Sequence, residues 1–186
     1  SCTFALGAKL LNNEELKIGS ILIDIGFEKT SLGLFKDLAL VHSTTLPIGI
    51  NHISKDISKV CSLSLEESNI IKDKIDFSFH NNKEIFDENN YLKNFYFNSS
   101  NYRKISKSLI LNIARARLDE IFEILKKQMI EIGFDPNFEK NVFIVGEGSN
   151  LVNLDKYISN FLGSNVKKLY KKNKIETKEE SEQNFN

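Results

Sequence analysis

The sequence predicts an α/β fold, with one mixed sheet, flanking helices and an α+β insertion between the two halves of the sheet. Three observations carry this. Gly19 to Lys36 (GSILIDIGFEKTSLGLFK) reads as a strand, a tight turn and a second strand. Val142 to Leu162 reads as a short buried strand, a glycine-containing loop and a helix. Between them, a long apolar stripe at helical spacing begins near Ser106. This order is not the regular strand–helix alternation of a dinucleotide-binding domain.

Thr3 to Leu11 has the look of a helix, closed by the polar break Asn12-Asn13-Glu14. In the first strand Ile21, Ile23 and Ile25 alternate with Leu22 and Asp24, as expected with both faces largely buried. Asp24 interrupts an apolar run, and an unpaired buried carboxylate is costly. Gly26 then permits a sharp turn or close backbone approach to a ligand. Two readings of Asp24 are open: an acid at a strand end that orients a hydrated cation, or a cap that accepts the turn's backbone N–H groups.

A third strand spans Leu38 to Leu46 and ends at Pro47 and Gly49. A helix starts at Asn51 or His52, with Ile53, Ile57 and Val60 on one face. There Asp56 reads as a carboxylate favouring the helix N-terminus, and His52 as a polar cap. Ser64 and Glu67 form a capping box for a helix from about Leu65 to Lys74. In residues 76–104, Phe77 with Phe79 and Phe95 with Phe97 alternate with polar residues, which predicts two short strands between Asn-rich loops.

The longest helix carries Leu111, Ala114, Leu118, Ile121, Phe122, Leu125, Met129 and Ile132 as one stripe, stopped by Gly133. After the Gly146–Asn150 loop, a helix runs to about Leu162, and Asn165 to Tyr170 predicts a last strand. Lys171 to Asn186 is charged, nearly free of apolar residues and expected to be mobile. The expected units are 1–75, the first part of the core; 76–132, an insertion ending in the long helix; 133–170, the second part of the core; and 171–186, the tail.

A chain of 186 residues would bury roughly 70% of its unfolded surface, enough for a real core. Twenty-five basic and 25 acidic residues give no net charge, which argues against bulk electrostatic capture of nucleic acid. Cys2 and Cys61 have neither metal nor redox spacing and fit a cytosolic chain without a disulfide framework. No apolar run approaches the roughly 20 residues that span a bilayer, and no signal peptide is visible. The start at Ser1, without Met, reads as a fragment or a trimmed chain.

Four segments fall in a recognisable order: DIGFEKTS (24–31), LPIGINHISKDIS (46–58), ISKSLILNIARARLDEIFEIL (105–125) and VGEGSNLVNL (145–154). Together they closely resemble the second lobe of FtsA, the actin-like bacterial cell-division protein, in its alphaproteobacterial form. The resemblance runs from about residue 1 to 170. Its specific part is Pro47, Gly49, His52, Ser54 and Asp56, followed by Ala116-Arg117 and Glu120-Ile121-Phe122.

The resemblance implies an actin-like ATPase (ribonuclease H-like) lobe, found in the cytoplasm on the inner membrane face at the division site. It implies ATP and Mg2+ as ligands, the acidic C-terminal tail of FtsZ as partner, self-assembly into filaments and no nucleic acid. Attachment to the membrane would come through parts not in this chain, since Lys171–Asn186 has no apolar helical face. The first lobe would precede Ser1.

By the same resemblance, Asp24, Gly26 and Thr30 match the phosphate turn, with Asp24 as the magnesium residue. Gly49, Lys72, Gly146, Gly148 and Ser149 complete the nucleotide set, and Leu151 is kept. Phe27 and Glu28 stand where the family has glycines, Lys29 and Val145 where it has threonines, Glu147 where it has glycine, and Asn69 where a glutamate reaches the ribose. Glycines there let backbone N–H groups approach phosphate, so the expectation is weak or altered ATP binding, with Lys29 offsetting some of the charge of Glu28.

Arg115, Arg117 and Glu120 on the long helix fall in the region of the FtsZ-tail site. An arginine fork suits a carboxylate-rich tail, while Arg117 and Glu120 are also spaced to pair with each other. The run Lys167, Lys168, Lys171, Lys172, Lys174 would attract anionic lipid, but Glu176, Glu179, Glu180 and Glu182 follow directly, which favours a solvated tail. The first functional expectation is therefore a nucleotide-binding scaffold more than an efficient ATPase. The alternatives are an active ATPase of the actin and Hsp70 superfamily, or a pilus-assembly actin homologue.

Overall fold

A computed structural model describes residues 2–133 and 141–169, with side chains from residue 5 onward. The expected tail, 171–186, and Tyr170 lie outside the described residues.

Strands β1 (Ser20–Ile25), β2 (Thr30–Lys36) and β3 (Ala39–Leu46) form an antiparallel meander. Strands β4 (Val142–Val145) and β5 (Val166–Lys168) add to the other side of β1 in parallel, so the sheet order is β3-β2-β1-β4-β5. The sheet is mixed, and β1, next to both halves, is its centre. Period-2 alternation sorts its side chains. Ile21, Ile23, Ile25, Leu32, Leu34, Val142 and Ile144 join the main core, while Leu22, Phe35, Phe143 and Val145 face a second cluster with Leu11.

The second face is covered by α1 (Cys2–Leu10), which leads into α2 (Asn13–Ile18). At Gly7 a Cβ would overlap the Phe35 ring, so α1 lies directly on that aromatic. The main face is covered by α3 (Asn51–Cys61), α4 (Leu65–Lys74), α5 (Lys107–Glu131) and α6 (Leu154–Leu162). The stripe on α5 is buried from Ile110 to Met129; Ile132 lies just past the helix end and is exposed.

The segment between α4 and α5 differs from the expectation. Strands do not form at Phe77–Phe79 or Phe95–Phe97. Asp76 Oδ1 accepts from the amide and hydroxyl of Ser78 at 2.8 and 2.7 Å, making a tight turn. Phe79 then sits at φ +61°, in the left-handed region. Asn94–Tyr96 is a 3-10 turn with Phe95 exposed, and pairing is limited to isolated bridges, Phe86 with Leu92 and Tyr91 with Ser106. Alternating aromatics predict extended backbone only if no local side chain offers the amides a turn first. Phe77, Ile85, Phe86, Leu92, Tyr96 and Ile105 are nevertheless buried in the main core.

Glu67 fixes this segment. It closes the expected capping box with Ser64 and accepts from Ser99 N (2.7 Å), Ser100 N (2.9 Å) and Ser100 Oγ (2.6 Å). Burial pushes its carboxyl up, but these donors outweigh that and hold it at about 2. A depressed carboxyl contributes stability that is complete above its unfolded value of 4.5 and lost as pH falls towards 2. The contribution is on the order of 3 kcal/mol. Denaturant melts at about pH 6 and pH 3 should show the deficit of Glu67→Gln falling by roughly half, from about 3 kcal/mol at the higher pH to about 1.5 kcal/mol at the lower. An unchanged pH dependence in the variant would contradict the assignment.

Candidate functional site

The β1–β2 turn closes on itself, with Gly26 N donating to Lys29 O at 2.9 Å. Its carbonyls then face the start of α3, where Gly26 O accepts from Ile50 N (3.1 Å) and Phe27 O from Asn51 N (2.9 Å). The next two amides are also used, His52 N by Gly49 O and Ile53 N by Ile50 O. His52 Nδ1 accepts from Gly49 N at 3.2 Å, ahead of the N-cap Ile50, so it ties down the approach to α3, whose N-cap makes no side-chain bond, and is not the expected cap. A helix start normally offers free donors to an anion; here the first four amides are occupied. Gly49 makes this contact feasible, because a Cβ there would meet the Gly26 carbonyl and lie 2.6 Å from Lys29 N.

The other side chains of the predicted phosphate turn are committed as well. Thr30 is buried and its hydroxyl donates to Ile48 O at 2.8 Å. Glu28 is taken by Asn51 Nδ2 (2.6 Å) and Lys55 Nζ (3.1 Å), and these hydrogen bonds, Asn51 first, lower its pKa. Lys55, not Lys29, is therefore the cation that balances Glu28.

Gly146 adopts φ +85°, and a Cβ there would come 2.5 Å from Asp24 Oδ1, so the β4 loop passes directly over the Asp24 carboxylate. Ser149 is buried and donates to Gly146 O at 2.7 Å. Gly148 lies on Ile25. No group of three or more His, Cys, Asp or Glu side chains gathers into a metal cage among the described residues.

A cleft of about 500 Å³ opens beside this turn. Phe27 and Ile50 line it from the turn, Asn69, Lys72 and Asp73 from α4, and Glu147, Asn150 and Leu151 from the β4 loop. Thus Lys72 and three of the departures named above meet from separate segments. Lys72 is buried and pairs with Asp73 at 3.1 Å. Asn69 Oδ1 is buried without a hydrogen-bond partner among the described residues. The nucleoside end of a nucleotide fits this orphan acceptor and the apolar walls. The phosphate end fits poorly, because the donors of the turn and of α3 are already used.

A second groove, of about 480 Å³, runs along the start of α5. Phe79, Tyr91, Lys107 and Arg115 line it. Arg115 is exposed, stacks over Phe79 at 4.4 Å and pairs with no carboxylate among the described residues. Lys104 stacks on Tyr91 at 5.6 Å. Arg117 has a different role: it bonds Asp56 at 2.7 Å and also pairs with Glu120. Asp56 is accordingly an anchor between α3 and α5 and not a helix cap, since it lies in the second turn. Lys168 pairs with Asp155 at 3.0 Å, and Lys167 lies over Phe143; the later lysines of that run lie outside the described residues.

Sequence reasoning did not find Phe79, Tyr91 or Lys107 as groove residues; loops bring Phe79 and Tyr91 to α5, and Lys107 is the first residue of that helix. Nor did it pair Asp56 with Arg117 across 61 residues.

A family model described as "Cell division protein FtsA" matches residues 21–184. Cell division protein FtsA of Agrobacterium fabrum is 24% identical over 164 residues, 88% of this chain and 37% of that relative's length. Among solved structures, MreB5 of Spiroplasma citri bound to ADP is similar with a TM-score of 0.63 at 21% identity, covering 90% of this chain and 53% of that one. The MamK double helical filament gives a TM-score of 0.62 at 18% identity, covering 90% and 53%. The fold is the actin-like lobe.

Two substitutions separate the structural ties. Gly49→Ala should lower unfolding free energy by roughly 2–4 kcal/mol, because backbone on both sides has to shift. Arg117→Ala should cost about 1–2 kcal/mol, between the values for exposed and buried pairs. Urea titration reads both, and wild-type stability in Gly49→Ala would refute the close approach.

Proposed function

The chain belongs to the FtsA family of cell-division proteins, and on that premise we propose that it is a lobe of a scaffold that docks the acidic C-terminal tail of FtsZ. The observation that carries this reading is the groove at the start of α5. Arg115 there is exposed and held in place by Phe79, with Lys107 beside it. A planar fork held on an aromatic face keeps its donors for a carboxylate. Arg117, paired with Glu120, holds α5 to α3 through Asp56 and so steadies the helix that carries Arg115.

The wider function is assembly. The lobe packs into actin-like filaments and works at the inner membrane face of the division site, with membrane contact through parts outside this chain. No described helix is long and apolar enough to cross a membrane. That MamK of the same fold forms a double helical filament supports the self-assembly part.

ATP has a structural role here and binds weakly. Lys72, Gly146, Gly148 and Ser149 lie on its nucleoside side, and Asp24, Gly26, Thr30 and Gly49 on its phosphate side. Asp24 is the residue that a hydrated magnesium ion would meet, but with the donors of the turn and of α3 already used the ion brings little gain in affinity.

Fluorescence anisotropy with a labelled FtsZ tail peptide tests the docking. Arg115→Ala should weaken binding about tenfold or more, the worth of a charge-assisted hydrogen bond. Raising salt should weaken it further, and a scrambled peptide should bind less. Equal binding of wild type and Arg115→Ala would remove the groove from the proposal.

A further inference from the structure

The cleft between the β1–β2 turn, α4 and the β4 loop is electrostatically wrong for a polyphosphate. Among the described lining residues its one cation, Lys72, is tied to Asp73, and Glu147 adds a further acid at the rim. The adjacent start of α3 has its first four amides occupied. Phe27 presents a half-exposed ring to the same space. The rest of the lining suits a flat, uncharged, hydroxyl-bearing molecule. Phe27, Ile50 and Leu151 give apolar walls, and Asn69 Oδ1 is an acceptor that the protein itself leaves unsatisfied. A buried acceptor without a donor is costly, and a ligand hydroxyl or amine would relieve that cost. The size is within the range of small-molecule sites.

We infer that this cleft is a nucleoside site in which added phosphates and magnesium bring no gain in affinity. The inference rests on the weak-ATP reading above and deepens it. Asn69 selects for a donor on the ligand. Phe27 and Glu28 set the discrimination against phosphate, Phe27 by filling the approach and Glu28 by holding Asn51 and Lys55 to the turn.

Isothermal titration of this chain with adenosine, ADP and ATP, each with and without magnesium chloride, reads the order of affinities. Adenosine should bind at least as well as ATP, and magnesium should leave both unchanged. Asn69→Ala should weaken adenosine roughly tenfold, and Asn69→Asp, which keeps an acceptor, should recover most of it. The double variant Phe27→Gly, Glu28→Gly should shift the preference toward magnesium–ATP by roughly tenfold or more. Thermal melting confirms that each variant is folded. Tighter binding of magnesium–ATP than adenosine by the unaltered chain would overturn both this inference and the weak-ATP reading. Weak binding of ATP without binding of adenosine would overturn the inference and leave that reading in place, and no binding of any of the three would overturn both. Adenosine binding indifferent to Asn69→Ala would overturn the site.

Discussion

The contact between the β1–β2 turn and the start of α3 is the constraint on which the rest of the structure depends. Two carbonyls of the turn satisfy two helix amides, and Gly49 lets the backbones approach closely enough for this. The tie fixes α3 against the central strand of the sheet. α3 in turn holds α5 through the Asp56–Arg117 bond. It also sets the character of the adjacent cleft. A helix start whose donors are consumed inside the protein has little left for an anion, so the same bonds that stabilise the fold work against phosphate.

Two further polar ties organise what the sheet does not reach. Glu67 gathers three donors from residues 99–100 at the head of α4. Arg103 donates to the Cys61 and Ser62 carbonyls, closing the C-terminal end of α3. Between them, a segment almost without regular structure is positioned well enough to bury six apolar side chains and to build one wall of the Arg115 groove. Phe79 is the joint: it stacks on Arg115 and edge-on against Tyr157 of α6, whose hydroxyl donates to Asp119 of α5. Burial and that hydrogen bond push the Tyr157 pKa up, so its hydroxyl keeps its proton.

The two recesses of the lobe therefore differ in what they can recognise. In the α5 groove the cation is on the surface and pairs with no carboxylate among the described residues, which suits a carboxylate-rich peptide. In the cleft the cation is already paired and acids are in excess, which suits an uncharged ligand. The arginines two residues apart on α5 show how narrow the difference is. Helical geometry turns neighbours at this spacing away from each other, so Arg117 meets α3 while Arg115 faces the groove.

The sequence by itself determined the elements whose signals are local. The alternation in β1, the Ser64–Glu67 capping box, the α5 stripe up to Met129 and the Gly163 stop each depend on residues a few positions apart, and these appear where they were expected, while Ile132 falls past the helix end. It also determined the family, because four motifs keep their order and spacing over most of the chain. Tertiary structure alone decided the pairings that link distant segments: Glu28 with Lys55 in place of Lys29, Asp56 with Arg117 in place of a helix cap, and Glu67 with residues 99–100. It also decided that the alternating phenylalanines of residues 77–97 fold as turns. The physical reason is the same in each case. A charged or amide side chain can satisfy several partners, and sequence gives the inventory, while only the packed chain decides which partner is near enough to win.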